Sequence, residues 1–443
     1  MLSILAFAMV ATFMILIMMK RISAMIALML VPLLFALLAV PLAGVDPAQL
    51  GPMMMDGVKE LAPTGVMLVF AILYFGLMID VGLFVPLIRT IVRIVGHDPV
   101  RILVGTAVLA LVVSLDGDGA TTYMITTAAM LPLYRHLKMD VRMAACVIIM
   151  AGAVMNVLPW GGPTARVVSA LKLDANEVFV PMIMPMIITA LWVLYVAYRF
   201  GLKERDRLAK LAGDAVVDHS ASAIIADDSH SHVEARRPQL LWFNFLLTAA
   251  LMVALVAGIL PLAVLFMLAF GIAMTVNYPR LQDQRDRIGA HAGNALAVAG
   301  LIFAAGIFTG ILSGTEMVGA MAGTVTGYIP PSWGPYMAPI TAFLSAPFTF
   351  FISNDAFYFG MLPILAETGA HYGLTPAEIG RASLVGQQIH LLSPLVASTY
   401  LLVGFVGIEF GEHQRFTLKW AMGSFVVFFA ASLLFGVFPL VGG

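Results

Sequence analysis

The sequence predicts an all-α polytopic membrane protein made of two inverted repeats, each with a re-entrant helical hairpin and a broken helix. Hydrophobic residues make up 61% of the 443 residues and charged residues 11%, whereas soluble domains carry about 25% charged residues. Apolar runs of about 20 residues, long enough to cross a bilayer as helices, recur along the chain. Polar interruptions at 114–122 and 353–355 fall in similar apolar surroundings in the two halves. A soluble globular protein is therefore excluded.

Four complete spans are predicted in each half of the chain. The first repeat, 1–200, has its spans at 2–19, 24–43, 61–87 and 179–197. The second repeat, 240–443, has its spans at 240–258, 262–276, 295–312 and 421–440. The N-terminal run is followed by Lys20-Arg21 and has no basic region before it. It is therefore predicted to be a membrane span rather than a cleaved signal peptide.

The segment 201–239 is the only long polar stretch, and it separates the two repeats. Its His and Asp residues fit no defined metal-site spacing, whereas its Ala, Ser and Asp content is typical of a flexible linker. Lys and Arg flank it and also follow the first and third apolar runs, which predicts that these segments face the cytoplasm. The loops 44–60 and 314–333 hold one Lys and no Arg, so they and both termini are expected outside the inner (plasma) membrane.

Each half also contains a short helical hairpin followed by a helix that is broken near its middle. The hairpins are predicted at 102–134 and 336–366, and the broken helices at 143–171 and 379–408. The first hairpin begins and ends next to arginines, on the cytoplasmic side, whereas the second begins and ends in sequence without Lys or Arg. Hairpins that enter from opposite faces, together with discontinuous helices, are typical of secondary transporters with inverted repeats.

The spacing of prolines supports a duplication. Pro132 and Pro163 are 31 residues apart, and so are Pro363 and Pro394, each first proline being preceded by Leu. This register makes Asn156 equivalent to Gln387 and Gly162 equivalent to Ser393.

The two hairpin tips concentrate carboxylates at membrane depth, where an ionisable group indicates a functional site. Asp116 and Asp118 lie among glycines at the first tip, and Asp355 follows Ser353-Asn354 at the second. Carboxylate oxygens are the ligands that Mg²⁺ and Ca²⁺ prefer, and a desolvated carboxylic acid is a natural proton carrier. These three aspartates are predicted to serve metal or proton coupling.

The two breaks are suited to bind charged groups, because a helix end exposes N–H groups at its start and carbonyls at its end. Gly161-Gly162 lets the backbone approach a ligand closely, and Pro163 opens the hydrogen-bond ladder. Arg166 follows the first break and either balances an anionic substrate or extends to the outer interface. His390, at the second break, fits a proton relay, a carboxylate ligand or a structural role.

Several other classes of function find little support. The chain contains no Walker A sequence, no HExxH and no Gly-x-Ser-x-Gly elbow. The net charge is −1, so the composition does not indicate a basic surface that binds nucleic acid. The single cysteine, Cys146, excludes an internal disulfide. An enzyme and a tightly bound cofactor are therefore not expected. A channel, which would conduct without accumulating solute, and an intramembrane enzyme that uses paired aspartates are the remaining alternatives.

The motifs at both tips and both breaks resemble the citrate–divalent metal:proton symporter family (CitMHS) of the ion transporter superfamily. The resemblance extends from Lys20 to Gly404 and is strongest at 115–122, 156–166, 353–360 and 390–395. It implies uptake of citrate complexed with a divalent cation of the Mg²⁺ or Ca²⁺ type, coupled to protons. It also implies a homodimer in the bilayer, with a scaffold domain and a transport domain that moves as an elevator.

The resemblance places the substrate between each hairpin tip and the facing broken helix. The residues expected to bind it are Thr121, Thr122, Asn156, Gly161, Gly162, Thr164, Arg166, Ser353, Asn354, His390 and Ser393. Ser353-Asn354 resembles the Ser-Asn-Thr tip of the dicarboxylate branch, but Asp355 replaces the Thr, and Asp118-Gly119-Ala120 stands at the first tip. These departures favour protons or a metal passenger over sodium.

Charge also favours a metal complex. Citrate is close to trivalent at neutral pH, and its desolvation at the membrane midplane is very unfavourable. A bound divalent cation lowers the net charge to about −1, which helix N-termini and hydroxyls can accommodate. The alternative is a proton- or sodium-coupled carrier of free citrate or dicarboxylates on the same fold.

Overall fold

The computed structural model describes residues 2–19, 21–117, 119–212, 235–328, 330, 332–351 and 353–442. Within these ranges the chain forms helices and no strand, so the all-α prediction is confirmed. The helices of the first half are α1 (Leu2–Met18), α2 (Ala24–Ala43), α3 (Pro47–Asp80), α4 (Val85–Val95), α5 (Pro99–Val113), α6 (Gly119–His136), α7 (Val141–Met155), α8 (Gly162–Leu171), α9 (Ala175–Phe179) and α10 (Ile183–Ala212). Those of the second half are α11 (Leu241–Val256), α12 (Leu262–Asn277), α13 (Leu281–Gly314), α14 (Met317–Tyr328), α15 (Met337–Phe351), α16 (Leu362–Ala370), α17 (Pro376–Ser383), α18 (Gln387–His390), α19 (Ala397–Val406) and α20 (Phe410–Leu434).

The order of elements in the first half recurs in the second. A helix of 34 residues, α3 or α13, is followed by a shorter helix, α4 or α14. A pair of helices joined by a polar tip comes next, α5 with α6 and α15 with α16. A broken helix and a long final helix, α10 or α20, complete each half. This order suits two repeats, whereas their inverted orientation in the membrane stays a prediction.

The long helices α3 and α13 pack antiparallel over most of their length, which is about 51 Å at 1.5 Å per residue. Near the start of α3, a Cβ on Gly57 would overlap the carbonyl oxygen of Gly306 and lie 2.8 Å from Cα of Gly310. At the other end, Asp80 accepts hydrogen bonds from His291 at 2.9 Å and Arg287 at 3.3 Å. Small residues thus allow close backbone contact at one end, and an ionic cluster joins the helices at the other.

Several helices begin or end away from the apolar runs. α3 starts at Pro47 rather than near residue 61, because Asp46 caps it and proline suits the first helical position. It ends at Asp80 rather than near 87, since Gly82 turns the chain with φ +82°. α13 begins at Leu281 and α20 at Phe410, each ahead of its apolar run. Hydropathy identifies only the apolar part of a helix, because the helix continues through charged residues beyond that part.

The chain between the two halves is partly helical. α10 continues through the first part of the predicted linker to Ala212, and residues 213–234 lie outside the described residues. Among the described residues, seven helices are long and apolar enough to cross a membrane. Three shorter apolar helices, α1, α7 and α12, accompany them. This number of apolar helices agrees with a multi-pass membrane protein.

Candidate substrate-binding site

The first hairpin tip, both breaks and the second hairpin tip meet around a cavity of about 210 Å³. Six of the predicted binding residues line this cavity: Thr122, Asn156, Gly162, Arg166, Asn354 and His390. At about 30 Å³ per water molecule, its volume equals that of about seven waters. This is smaller than the roughly 300–1,000 Å³ of pockets for drug-sized ligands. The cavity therefore suits a compact, polar solute.

The first tip is a short 3₁₀ turn between α5 and α6, from Ser114 to Asp116, followed by Gly117. Gly117 has φ +78°, and a Cβ there would lie 2.9 Å from the Trp160 ring, so glycine meets both a backbone and a packing requirement. Asp116 is buried beside this turn. Asp118 lies outside the described residues, and its coupling role stays a prediction. Thr121 lies in the first turn of α6.

Two hydroxyl groups in the cavity wall have no hydrogen-bond partner among the described residues. They are Ser114 Oγ and Thr122 Oγ1, and both side chains are buried. Buried polar groups are normally hydrogen-bonded. These hydroxyls are therefore available to a bound solute.

The first break separates α7, which ends at Met155, from α8, which begins at Gly162. Thr164 Oγ1 donates to the Val157 carbonyl at 2.8 Å and so holds the intervening turn in place. A Cβ on Gly161 would overlap the Asn156 carbonyl oxygen, which makes this position a tight backbone contact. Gly161 and Thr164 therefore shape the break, whereas Asn156 and Gly162 line the cavity.

The N-terminus of α8 lies at the cavity wall, where Gly162, Pro163 and Arg166 all contribute to the lining. The first turn of a helix carries a partial positive charge and backbone N–H groups that favour anions. Pro163 lacks an N–H, and the N–H of Ala165 bonds to the Gly161 carbonyl at 3.0 Å. The positive end of this helix, with Arg166 beside it, makes this wall the electropositive side of the cavity.

Arg166 is joined to the second half of the chain. Its Nε donates to Asp355 Oδ1 at 2.6 Å, and its Nη1 donates to the Gly162 carbonyl at 3.0 Å. Of the two roles considered for Arg166, the structure thus shows the side chain directed to the cavity and the second tip. Ser353, two residues before Asp355, accepts a hydrogen bond from the N–H of Ala356 at 3.1 Å and so caps the following helical segment.

A network of amides connects the two halves behind the wall. Asn156 Nδ2 donates to Gln387 Oε1 at 3.2 Å, and Gln387 Nε2 donates to the Tyr358 hydroxyl at 2.8 Å and to Asn354 Oδ1 at 3.3 Å. Gln387 is fully buried. This network fixes Asn156 and Asn354 relative to each other, so that both face the cavity in defined positions.

The second break contributes His390 and positions it through the second hairpin. His390 Nδ1 lies 2.6 Å from the Thr349 carbonyl oxygen, which only accepts, so Nδ1 carries the proton. Nε2 has no partner among the described residues, and the ring lines the cavity. Ser393 Oγ donates to the Phe350 carbonyl at 2.6 Å and so joins the break to the same hairpin. Ser393 supports the site from outside the cavity wall.

Three lining residues with hydroxyl groups are not among the predicted binding residues: Ser114, Tyr123 and Ser398. Ser114 belongs to the polar stretch at the first tip, so its position was the available signal. Gln387 was paired with Asn156 by register and supports the site without lining the cavity. Ser398 had no signal, because it reaches the first hairpin only in the folded chain, where its Oγ would lie 3.3 Å from a Cβ on Gly119.

The described residues do not form a metal site of their own. No group of three or more His, Cys, Asp or Glu side chains among them is arranged to hold a metal ion. The acidic groups near the cavity are dispersed, with Asp116 at the first tip and Asp355 at the second.

Comparisons with known proteins give one family. A family model described as "Citrate transporter" (CitMHS) matches residues 13–386. A protein of Bacillus subtilis (strain 168) named "Citrate transporter" is 57% identical over 437 residues, which cover 99% of each chain. A second protein of that organism, named "Mg(2+)/citrate complex secondary transporter", is 48% identical over 440 residues, covering 99% of this chain and all of the relative.

Two solved structures share the fold. The YdaH transporter of Alcanivorax borkumensis aligns with a TM-score of 0.57 at 15% identity, over 93% of this chain and 99% of that one. The MtrF efflux pump of Neisseria gonorrhoeae aligns with a TM-score of 0.60 at 12% identity, over 87% and 84% of the two chains. At these identities the likeness concerns the fold alone.

Proposed function

The chain belongs to the citrate transporter family, as its motifs predicted, and on this premise we propose that it imports citrate complexed with a divalent metal cation, coupled to the symport of protons. Members of the family are transporters, so the expectation that the chain is not an enzyme is confirmed. The relative named as a Mg²⁺/citrate complex transporter supports the metal complex as the transported species. The cation is then part of the substrate and not a resident cofactor.

The observation that carries this proposal is the charge of the cavity wall. The α8 N-terminus and Arg166 favour an anion, but Arg166 is already paired with Asp355 at 2.6 Å. The wall therefore offers much less than the three positive charges that a bare citrate trianion would need on leaving water. A complex of net charge about −1 matches one helix N-terminus together with hydroxyl and amide donors.

Roles follow from the positions of the side chains. Asn156, Asn354, Thr122 and the α8 N-terminus at Gly162 would bind citrate oxygens, because they line the cavity as hydrogen-bonding groups. His390 Nε2 would bind a further oxygen or relay a proton. The carboxylates of Asp116, Asp118 and Asp355 would carry the metal or proton coupling. Thr121, Gly161, Thr164, Ser353 and Ser393 would hold the tips and breaks in place around the substrate.

The membrane arrangement is part of the same proposal. Two inverted repeats, 1–200 and 240–443, would lie in the plasma membrane with the linker 201–239 in the cytoplasm, as the distribution of Lys and Arg favours. The chain would form a homodimer whose transport domain moves as an elevator against a scaffold. The antiparallel pair α3 and α13 suits the scaffold, because both helices are long and make close contact with each other.

Labelled citrate uptake into proteoliposomes under an inward proton gradient tests the proposal. Uptake should vanish in chelator, return when at least one of the divalent ions Mg²⁺, Ca²⁺ and Zn²⁺ is added but not with trivalent Fe³⁺, and collapse with a protonophore. Uptake that does not depend on added metal would instead indicate free citrate or dicarboxylates as substrate. Uptake driven by a sodium gradient in a parallel sample would identify sodium coupling. Conductance without accumulation would indicate a channel, and liposomes without protein provide the blank.

A further inference from the structure

Arg166 and Asp355 form an ion pair at the cavity, between the described parts of the two halves. Arg166 lies on α8 in the first half and Asp355 at the second tip, 189 positions later. Their side chains are 20% and 17% exposed, so water reaches both groups only in part. The pair therefore joins the two predicted repeats at the substrate cavity.

The contact uses only part of the hydrogen-bonding capacity of each group. A guanidinium and a carboxylate can form two parallel hydrogen bonds, but here only Nε meets Oδ1. Neither Arg166 Nη2 nor Asp355 Oδ2 has a hydrogen-bond partner among the described residues. Both groups are therefore able to exchange their partner without breaking a complete bidentate pair.

The charge of the empty site constrains a transporter that works by net uptake. Such a protein returns without substrate, and a partly buried unpaired charge is strongly unfavourable during that step. The pair cancels the charge of Arg166 in the substrate-free protein. When substrate is bound, one of its carboxylates can take the position of Asp355 beside the guanidinium, since both are the same chemical group.

We propose, on the basis of the transport function proposed above, that Asp355 is the internal counter-ion of Arg166, which substitutes for a substrate carboxylate while the site is empty. Asp355 is then needed mainly in the step in which the transporter returns without substrate. It matters less for exchange, in which internal citrate leaves as external citrate enters, because Arg166 then faces a substrate carboxylate in both directions. Loss of proton coupling would also lower net uptake more than exchange, because a proton bound with the substrate need not leave the site during exchange. Only the counter-ion role predicts that removing the charge of Arg166 as well restores net uptake relative to exchange.

The test compares net uptake with citrate exchange for the same protein in the same proteoliposomes, at saturating citrate and metal. Asp355→Asn should lower net uptake about tenfold or more relative to exchange. The double variant Arg166→Gln/Asp355→Asn removes both charges, so its ratio of net uptake to exchange should return to the wild-type ratio even though its affinity for citrate falls. Retained exchange also demonstrates that a variant is folded.

Asp98→Asn is the matched control. Asp98 forms an ion pair of 2.9 Å with Arg205 away from the cavity, and asparagine keeps its capping hydrogen bond at the start of α5. The ratio of net uptake to exchange in the Asp98→Asn variant should equal that of the wild type. Equal losses of exchange and net uptake in Asp355→Asn, or a double variant no better than the single one, would overturn the counter-ion role. A wild type with neither activity would overturn the proposed function and this role with it.

Discussion

Asn156 donates a hydrogen bond of 3.2 Å to Gln387, the residue 231 positions later that the proline spacing makes its equivalent. When two repeats are related by a two-fold axis, a residue contacts its own equivalent only near that axis. This hydrogen bond therefore supports a pseudo-two-fold axis that passes beside the cavity. Such an axis would also bring both breaks to one site.

Replacement of Gln387 by Leu should lower the free energy of unfolding by about 2 kcal/mol. The change leaves the buried amide of Asn156 without its acceptor and removes the donor to Tyr358 and Asn354. Chemical denaturation in detergent, followed by tryptophan fluorescence, measures the effect.

Gln388→Leu is the matched control for this change, since Gln388 is the next residue and is also buried. Its only hydrogen bond among the described residues is a long one, 3.4 Å from Nε2 to the Ala153 carbonyl, and its Oε1 has no partner there. The loss should therefore be clearly smaller. Equal losses for both variants would mean that the network around Gln387 has no special role.

Replacement of Trp160 by Phe should raise the KM for citrate about fivefold and leave kcat nearly unchanged. Trp160 Nε1 donates to the Leu115 carbonyl at 2.8 Å and so attaches the first break to the first tip, and one hydrogen bond contributes about 1 kcal/mol. Initial rates of uptake over a range of citrate concentrations provide both constants. Trp192→Phe is the control, because Trp192 Nε1 has no hydrogen-bond partner among the described residues. A matching rise in that variant would count against the attachment.

The sequence predicted the helical class, both tips and both breaks because each depends on local chemistry. Prolines and glycines interrupt helices where they occur, as at Gly161 and Pro163, and apolar runs mark helices whatever surrounds them. The positions that line the cavity followed from the same local signals, with Asn156 and His390 as examples.

The partner of Arg166 could not be predicted, because a contact over 189 positions depends on the packing of two halves rather than on either one. Helix ends escaped prediction for a different reason. The start of α3 is determined by the cap at Asp46 and by Pro47, and hydropathy carries no information about either. Likewise, the sequence predicts Thr164 to bind substrate but does not indicate the hydrogen bond from its Oγ1 to the Val157 carbonyl.

Replacement of Gly161 by Ala should reduce citrate transport at least about tenfold, because its Cβ would overlap the Asn156 carbonyl oxygen and force the first break open. Uptake is compared at equal amounts of reconstituted protein. Gly271→Ala, in α12, is the control, since a Cβ there meets nothing within 4 Å and alanine favours a helix. Normal transport by the Gly161 variant would show that the break tolerates a wider turn than the contact implies.

Acid should remove the stabilising contribution of Asp140, which precedes α7. Burial raises the pKa of this carboxyl, but hydrogen bonds from the Arg142 side chain and N–H, with the charges of Arg142 and Arg207, outweigh it and hold the pKa below its ordinary value.

A carboxyl whose pKa is lower in the folded protein stabilises the fold above its unfolded pKa of about 3.9, and this stabilisation is lost as the pH falls below that value towards the folded pKa. The melting temperature of the wild type should therefore exceed that of Asp140→Asn at pH 7, and the difference should shrink below about pH 4. Asparagine keeps the cap of α7, so the difference reports the charge. A difference that stays constant from pH 7 to pH 3 would show that the carboxylate charge contributes nothing at this position.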